Sequence, residues 1–277
     1  MIPAEFDYVA PGSLDEALSA LAQGGEDAKV LAGGHSLIPL MKLRLAFPSL
    51  LVDLRRLDEL RGISRENGDI VFGAMTRHHE VATGGFGLAS AAAATIADQQ
   101  VRNMGTIGGT LAHGDPASDM PAVLLATEGS VTIRGSGGER EVAAKDLFQD
   151  YLTTAVGEGE ILTKVRIPAL EGYGYGYQKF NRRQEDWAMV AVCALVKKAP
   201  DGSIEDARVG LTHMGSTPLR ATAVEEALRG QSAEKIPEAA ELAAEGTEPP
   251  EDLNASADYK RHLARVLCKR ALEAASQ

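Results

Sequence analysis

The sequence predicts an α+β protein, and three observations carry that class. A short apolar strand, Lys29 to Ala32, runs into Gly33-Gly34-His35-Ser36 and then into helical apolar spacing from Leu37 to Leu45. From about Gly172 the chain alternates short strands, at Tyr173 to Phe180, Met189 to Lys197 and Ala207 to Thr212, and then turns helical. With 277 residues, 44% of them hydrophobic, the chain can bury a sizeable core in one large or two modest domains.

The elements follow in order. Ala10-Pro11-Gly12 reads as a turn and Ser13 as a helix cap with Glu16 three residues on, while Leu14, Ala17, Leu18 and Leu21 form an apolar stripe that Gly24-Gly25 ends. After the glycine turn, Pro39 sits in a first helical turn, where backbone donors lack helical partners anyway. Leu50 to Leu54 and Asp69 to Gly73 read as strands, Thr76 as a cap, and the alanine-rich run Leu88 to Ala97 as a helix. Val101 to Gly114 carries four glycines, at 105, 108, 109 and 114, and is expected to be a loop or bulged strand whose backbone lies close to something. Strands follow at Ser130 to Arg134 and Leu162 to Ile167. Ala221 to Arg229 and Tyr259 to Ala275 have helical spacing, and Glu245 to Asp252 reads as a mobile connection between them. The expected division is 1–55 and 56–171 as two subdomains and 172–277 as a third unit. No solenoid or propeller period is visible.

Composition excludes several functions. There are 28 basic and 39 acidic side chains, a net charge of -11, with no Lys/Arg-rich stripe, which argues against a nucleic-acid partner. The two cysteines, Cys193 and Cys268, cannot supply four thiolates to an iron–sulfur cluster. A cytoplasmic protein is expected, because no leader-like N-terminus, cysteine framework or long apolar run is present.

Two glycine-rich turns carry the chemistry. Ala32-Gly33-Gly34-His35-Ser36 and Thr106-Ile107-Gly108-Gly109-Thr110 each combine unhindered backbone N–H groups with hydroxyls, the donor set a pyrophosphate needs. An ordinary tight turn is the alternative reading of either alone. Neither has the G-x-G-x-x-G spacing of a dinucleotide fold and no Gly-Lys-Ser/Thr occurs, so a nucleotide cofactor gripped between two separate loops is the reading that remains.

A family resemblance rests on these residues. Ala32-Gly33-Gly34-His35-Ser36-Leu37 with Leu40-Met41-Lys42-Leu43-Arg44, Arg102-Asn103 before Gly105-Thr106-Ile107-Gly108-Gly109, and Ala112-His113-Gly114-Asp115-Pro116-Ala117-Ser118-Asp119 resemble the FAD subunit of molybdenum hydroxylases, in the pattern of the carbon monoxide dehydrogenase medium subunit. Gly159-Glu160-Ile161-Leu162 and Lys179-Phe180-Asn181-Arg182-Arg183 extend it over most of the chain. The resemblance implies an FAD-binding domain of the p-cresol methylhydroxylase/vanillyl-alcohol oxidase type, in two α+β subdomains, followed by a three-stranded antiparallel sheet with helices. It implies FAD held by Ala32 to Ser36 and Thr106 to Thr110 at the pyrophosphate, by Asp119 at the ribose or adenosine side, and by Leu162 and Lys179 elsewhere. His35 departs from the polar residue, often Gln, that the family carries there. The resemblance also implies a large molybdenum-cofactor subunit and a small subunit with [2Fe-2S] clusters, arranged as a dimer of heterotrimers.

Each residue also has a plainer role. Asp119 can cap the helix that Met120 begins. His113, in the glycine segment, either touches the flavin or serves its own loop. His78 and His79 beside Glu80 point apart on a helix, so no metal site is expected. Lys179 is either a solvated charge or a cation stabilising negative charge on reduced flavin. Trp187 lies where the family places an aromatic or branched side chain near flavin, and can equally pack the C-terminal sheet. Tyr173, Tyr175 and Tyr177 mark one face of a strand. No nucleophile or acid/base pair stands out, which suits a chain whose cofactor does the chemistry. Two other readings stay open: a self-sufficient flavin oxidoreductase, which needs an acid or base beside the flavin, and a flavinless scaffold, which Ser36, Thr106 and Thr110 argue against. Because Ala112-His113-Gly114-Asp115-Pro116 resembles the carbon monoxide dehydrogenase branch, the resemblance implies carbon monoxide as the substrate of the complex, with aromatic, N-heterocyclic and aldehyde substrates sharing the motifs and left open, as is the final acceptor.

Overall fold

A computed structural model describes residues Ile2 to Gln277. The first unit contains β1 (Asp7–Val9), α1 (Leu14–Gly24), β2 (Ala28–Leu31), α2 (Leu37–Lys42) and β3 (Leu50–Asp53). Its strands form a parallel sheet in the order β1-β3-β2, with Ala28 opposite Leu50. The cap of α1 forms as the sequence suggests: Ser13 Oγ accepts from Glu16 N at 3.3 Å, and Glu16 Oε2 accepts from Gly12 N at 2.8 Å. Its buried side, Leu14, Ala17 and Leu21, packs on Val52 and Leu54.

The second unit contains β4 (Ile63–Glu66), β5 (Asp69–Gly73), α3 (His78–Thr83), α4 (Leu88–Ala93), α5 (Gln99–Met104), α6 (Ile107–His113), α7 (Asp119–Ala126), β6 (Ser130–Gly135), β7 (Gly138–Ala143), α8 (Ala144–Leu147), the small hairpin β8 (Phe148–Asp150) and β9 (Thr153–Thr154), and β10 (Ile161–Ile167). Its sheet is antiparallel in the order β4-β5-β10-β6-β7, so β10 returns to fill the gap between β5 and β6.

The third unit contains β11 (Tyr173–Phe180), β12 (Val190–Lys198), β13 (Ile204–Thr212), β14 (Leu219–Arg220), α9 (Thr222–Leu228), α10 (Ile236–Ala240) and α11 (Ala257–Ala275). Three long antiparallel strands, β11-β12-β13, carry the sheet, and two-residue β14 extends its edge. One face packs on α11. The other, with Tyr173, Tyr177, Cys193 and Leu195, packs into the second unit's core beside α4 and α7. Strand alternation therefore puts Tyr177 and Lys179 on the side that faces α7.

Three local expectations are corrected. Val101 to Gly114 is neither loop nor bulged strand but most of α5 and all of α6. Asp98 Oδ1 accepts from Val101 N at 2.8 Å, Thr106 Oγ1 accepts from Gly109 N at 3.1 Å, and Gly114 ends α6 at φ 67. A Cβ on Gly108 would stand 2.7 Å from the Ala74 carbonyl oxygen, so close packing rather than helix breaking explains that glycine. Thr76 caps nothing: its hydroxyl donates to Gly62 O at 3.0 Å while Arg77 is the N-cap of α3. The segment from Glu245 to Asp252 is fastened rather than mobile, through Glu248 N to Met214 O and through Pro250 O and Asp252 Oδ2, both of which accept from buried Lys260.

Candidate cofactor site

The first wall is the turn between β2 and α2. Gly34 has φ +77, a left-handed conformation open to glycine. A Cβ on Gly33 would stand 2.6 Å from Met104 O and 2.7 Å from Gly105 Cα, so the two glycine segments touch backbone to backbone. Among the described residues, the amides of Gly33, Gly34, His35 and Ser36 donate to no group of the chain, and Ser36 makes no side-chain cap to α2. Consecutive free N–H groups with a hydroxyl beside them form a concave anion cradle.

The second wall differs from its expected role. Ile107 N donates to Thr76 O at 3.0 Å, Gly108 N to Ala74 O at 2.9 Å, and Thr110 N to Thr106 O at 3.1 Å. These amides hold α6 in place and cannot cradle phosphate. Ile107 and Gly108 face the core, whereas Thr106, Gly109 and Thr110 line the cavity. Leu162 does not reach it: its side chain is buried in the second unit's core on β10.

The third wall comes from α7 and β11 with the loop after it. Asp119 is the first residue of α7 and Ser118 its N-cap, so the carboxylate is not the cap the sequence suggested. Lys179 Nζ pairs with Asp119 Oδ2 at 3.0 Å, with both side chains 6% exposed, and donates to Thr95 O at 3.2 Å. Tyr177 donates its phenol to Asp119 Oδ1, and burial followed by the Asp119 charge pushes its ionisation well above the usual tyrosine range. Lys179 thus arrives already neutralised, and the wall presents a hydrogen-bonded pair rather than a free cation. Glu185, Asp186 and Trp187 form the rim, the indole 55% exposed.

These walls enclose about 540 Å³, within the usual range for a cofactor cleft. Ala32, Gly33, Gly34, His35, Ser36, Thr106, Gly109, Thr110, His113, Asp119, Lys179 and Trp187 all line it, brought together from three units. Sequence reasoning missed His78, whose ring borders the cavity beside Gly105, and the phenol of Tyr177, read there only as part of a strand face. Burial, with a smaller contribution from His35, lowers the His78 pKa to about 4, so its ring is neutral at neutral pH. Free amides, a glycine cradle and hydroxyls suit a dinucleotide diphosphate, and the open rim suits a flat ring system.

Comparison with known proteins matches the chain to two family models. Residues 4–170 match the family model for the FAD binding domain in molybdopterin dehydrogenase, and residues 175–275 match the CO dehydrogenase flavoprotein C-terminal domain. The chain is 42% identical to the carbon monoxide dehydrogenase medium chain of Hydrogenophaga pseudoflava, over 99% of this chain and 98% of that one. It is 38% identical to subunit alpha of the 6-hydroxypseudooxynicotine dehydrogenase complex of Paenarthrobacter nicotinovorans, over 98% and 95%. Among solved structures, carbon monoxide dehydrogenase from Hydrogenophaga pseudoflava lacking the Mo-pyranopterin moiety superposes with a TM-score of 0.96 at 43% identity, covering 99% of this chain and 98% of that one.

Proposed function

The chain belongs to the family of FAD-binding domains in molybdopterin dehydrogenases, with the carbon monoxide dehydrogenase flavoprotein C-terminal domain, and from that premise we propose that it is the FAD-carrying electron outlet of a molybdenum-containing carbon monoxide dehydrogenase. The observation that carries the reading is the cavity itself, where free amides of one unit, hydroxyls of the second and a buried Asp119–Lys179 pair from the second and third converge.

In this reading the amides of Gly33 to Ser36 and the Ser36 hydroxyl bind the diphosphate, and Thr110 adds a hydroxyl from the second wall. Asp119, oriented by Tyr177 and Lys179, accepts from the ribose or adenosine side. Trp187 covers the exposed ring. Bound FAD supplies the redox chemistry, and the chain binds, orients and shields it. Ile107, Gly108 and Leu162 act by packing these walls. The subdomain division at 55/56 and the unit boundary at 171/172 are part of the same proposal.

The electrons come from a large molybdenum subunit through a small subunit with [2Fe-2S] clusters, two such heterotrimers pair, and the assembly works in the cytoplasm. No helix is long and apolar enough to cross a membrane among the described residues. The test is the visible spectrum, released cofactor, metal content and subunit masses of the purified native protein, followed by reduction with carbon monoxide. One FAD per chain, both partner subunits and bleaching by carbon monoxide are the expected outcome. Bleaching by an N-heterocycle or aldehyde alone refutes the substrate, FAD on a lone chain favours a self-sufficient oxidoreductase, and no flavin after reconstitution refutes the cofactor.

A further inference from the structure

We propose that His78 is a further contact of the bound dinucleotide, its Nε2 donating a hydrogen bond to the diphosphate where the two glycine segments meet. The inference rests on the FAD reading above and deepens it.

Placement is the first argument. His78 opens α3, and its backbone N donates to Gly105 O at 3.0 Å, across the short pairing of Arg77 with Thr106. A Cβ on Gly105 would stand 2.8 Å from His78 Cδ2, so only glycine lets the ring lie against that segment. Gly105 in turn backs Gly33. The imidazole therefore sits behind the point where the amide cradle closes.

Hydrogen-bond accounting is the second. The residue is 5% exposed, and its Nδ1 is enclosed without a partner. Nε2 makes no bond within the chain either, but unlike Nδ1 it is not enclosed; it lies 3.3 Å from where a Gly105 Cβ would stand, and the residue lines the cavity. A neutral imidazole carries one N–H. With the proton on Nε2 the enclosed nitrogen is an unpaired acceptor, which interiors tolerate better than an unpaired N–H. A buried polar ring left without any partner at a cavity wall is explained by a ligand that accepts from it.

The experiment uses the full chain with whatever subunits co-purify, stripped of flavin and titrated with FAD, ADP and riboflavin by fluorescence or calorimetry. A Gln side chain places its amide nitrogen near the position of Nε2 and an Asn side chain near Nδ1, so the two substitutions identify the nitrogen in use. His78→Gln is expected to bind FAD within about threefold of the parent, while His78→Asn and His78→Phe lose about tenfold for FAD and for ADP, with riboflavin binding unchanged. Melting curves of the flavin-free variants separate folding from affinity, and if the Phe variant does not fold, the Gln and Asn pair decides. Equal FAD affinity in all variants, retention by Asn with loss in Gln, or a loss confined to riboflavin overturns the inference. A parent that binds none of the three overturns the cofactor reading together with it.

Discussion

His78 shows how one buried ring ties stability to pH. Its pKa is about 4 in the fold against about 6.5 in an unfolded chain, with burial the main cause. Between those values the unfolded chain holds the proton and the folded chain does not. The stability is therefore fully present above about pH 6.5 and is lost as pH falls toward 4, by something on the order of 3 kcal/mol. Urea titrations of the flavin-free chain at pH 7 and pH 4.5 should show a steeper acid loss in the parent than in His78→Gln, and equal losses would show that the ring does not fold neutral. The Asp119–Lys179 pair makes a different prediction at the same scale. Lys179→Met leaves a carboxylate almost fully enclosed with Tyr177 as its remaining side-chain partner, and should cost about 3–5 kcal/mol. Adding Asp119→Asn should recover much of that, because it removes the uncompensated charge. A double variant no more stable than the single one would mean that the pair is not coupled.

At the scale of elements, the contact between β11 and α11 depends on glycine. A Cβ on Gly176 would stand 2.1 Å from Ala271 O and one on Gly174 2.1 Å from Ala275 O, and the Ala271 carbonyl, four residues inside the end of α11, cannot move without lifting the helix. Gly176→Ala should cost about 1–3 kcal/mol or more and lower Tm by several degrees, while Gly137→Ala, with nothing within 4 Å, should be near neutral. Equal melting temperatures for the two would contradict this packing. The tyrosine alternation that fixes the opposite face of β11 was legible in the sequence, as were the α1 cap and most strands, because each is written in a local period or a local side-chain bond. Val101 to Gly114 was not. Its glycines lower helix propensity locally, but Asp98 and Thr106 supply caps, and the approach of Gly108 to Ala74 is a contact between segments more than thirty residues apart. The same limit explains the site. The free amides at Gly33 to Ser36 were foreseeable from glycine and turn chemistry, whereas the diversion of Ile107 N and Gly108 N to Thr76 and Ala74, and the meeting of His78 with Gly105, depend on how β5, α3 and α6 pack.

For the whole molecule, the cavity is a joint between units rather than a property of one. Gly33 belongs to the first unit, Thr110 and Asp119 to the second, and Lys179 and Trp187 to the third, so a ligand filling the space bonds all three at once. Binding that requires the native arrangement of all three must stabilise that arrangement, by about 2.7 kcal/mol when free ligand is a hundred times its dissociation constant. Trp187 is the sole tryptophan and stands at the rim, which makes its emission a reporter of the third unit alone. FAD added to the flavin-free chain should quench that emission with the same midpoint as it raises Tm. Gly33→Ala, which forces the first unit away from Met104 and Gly105, should abolish both effects although it lies in a different unit from the indole. Quenching that survives Gly33→Ala undiminished would mean that the flavin is held by the third unit without the cradle, and that the two glycine segments meet for packing alone.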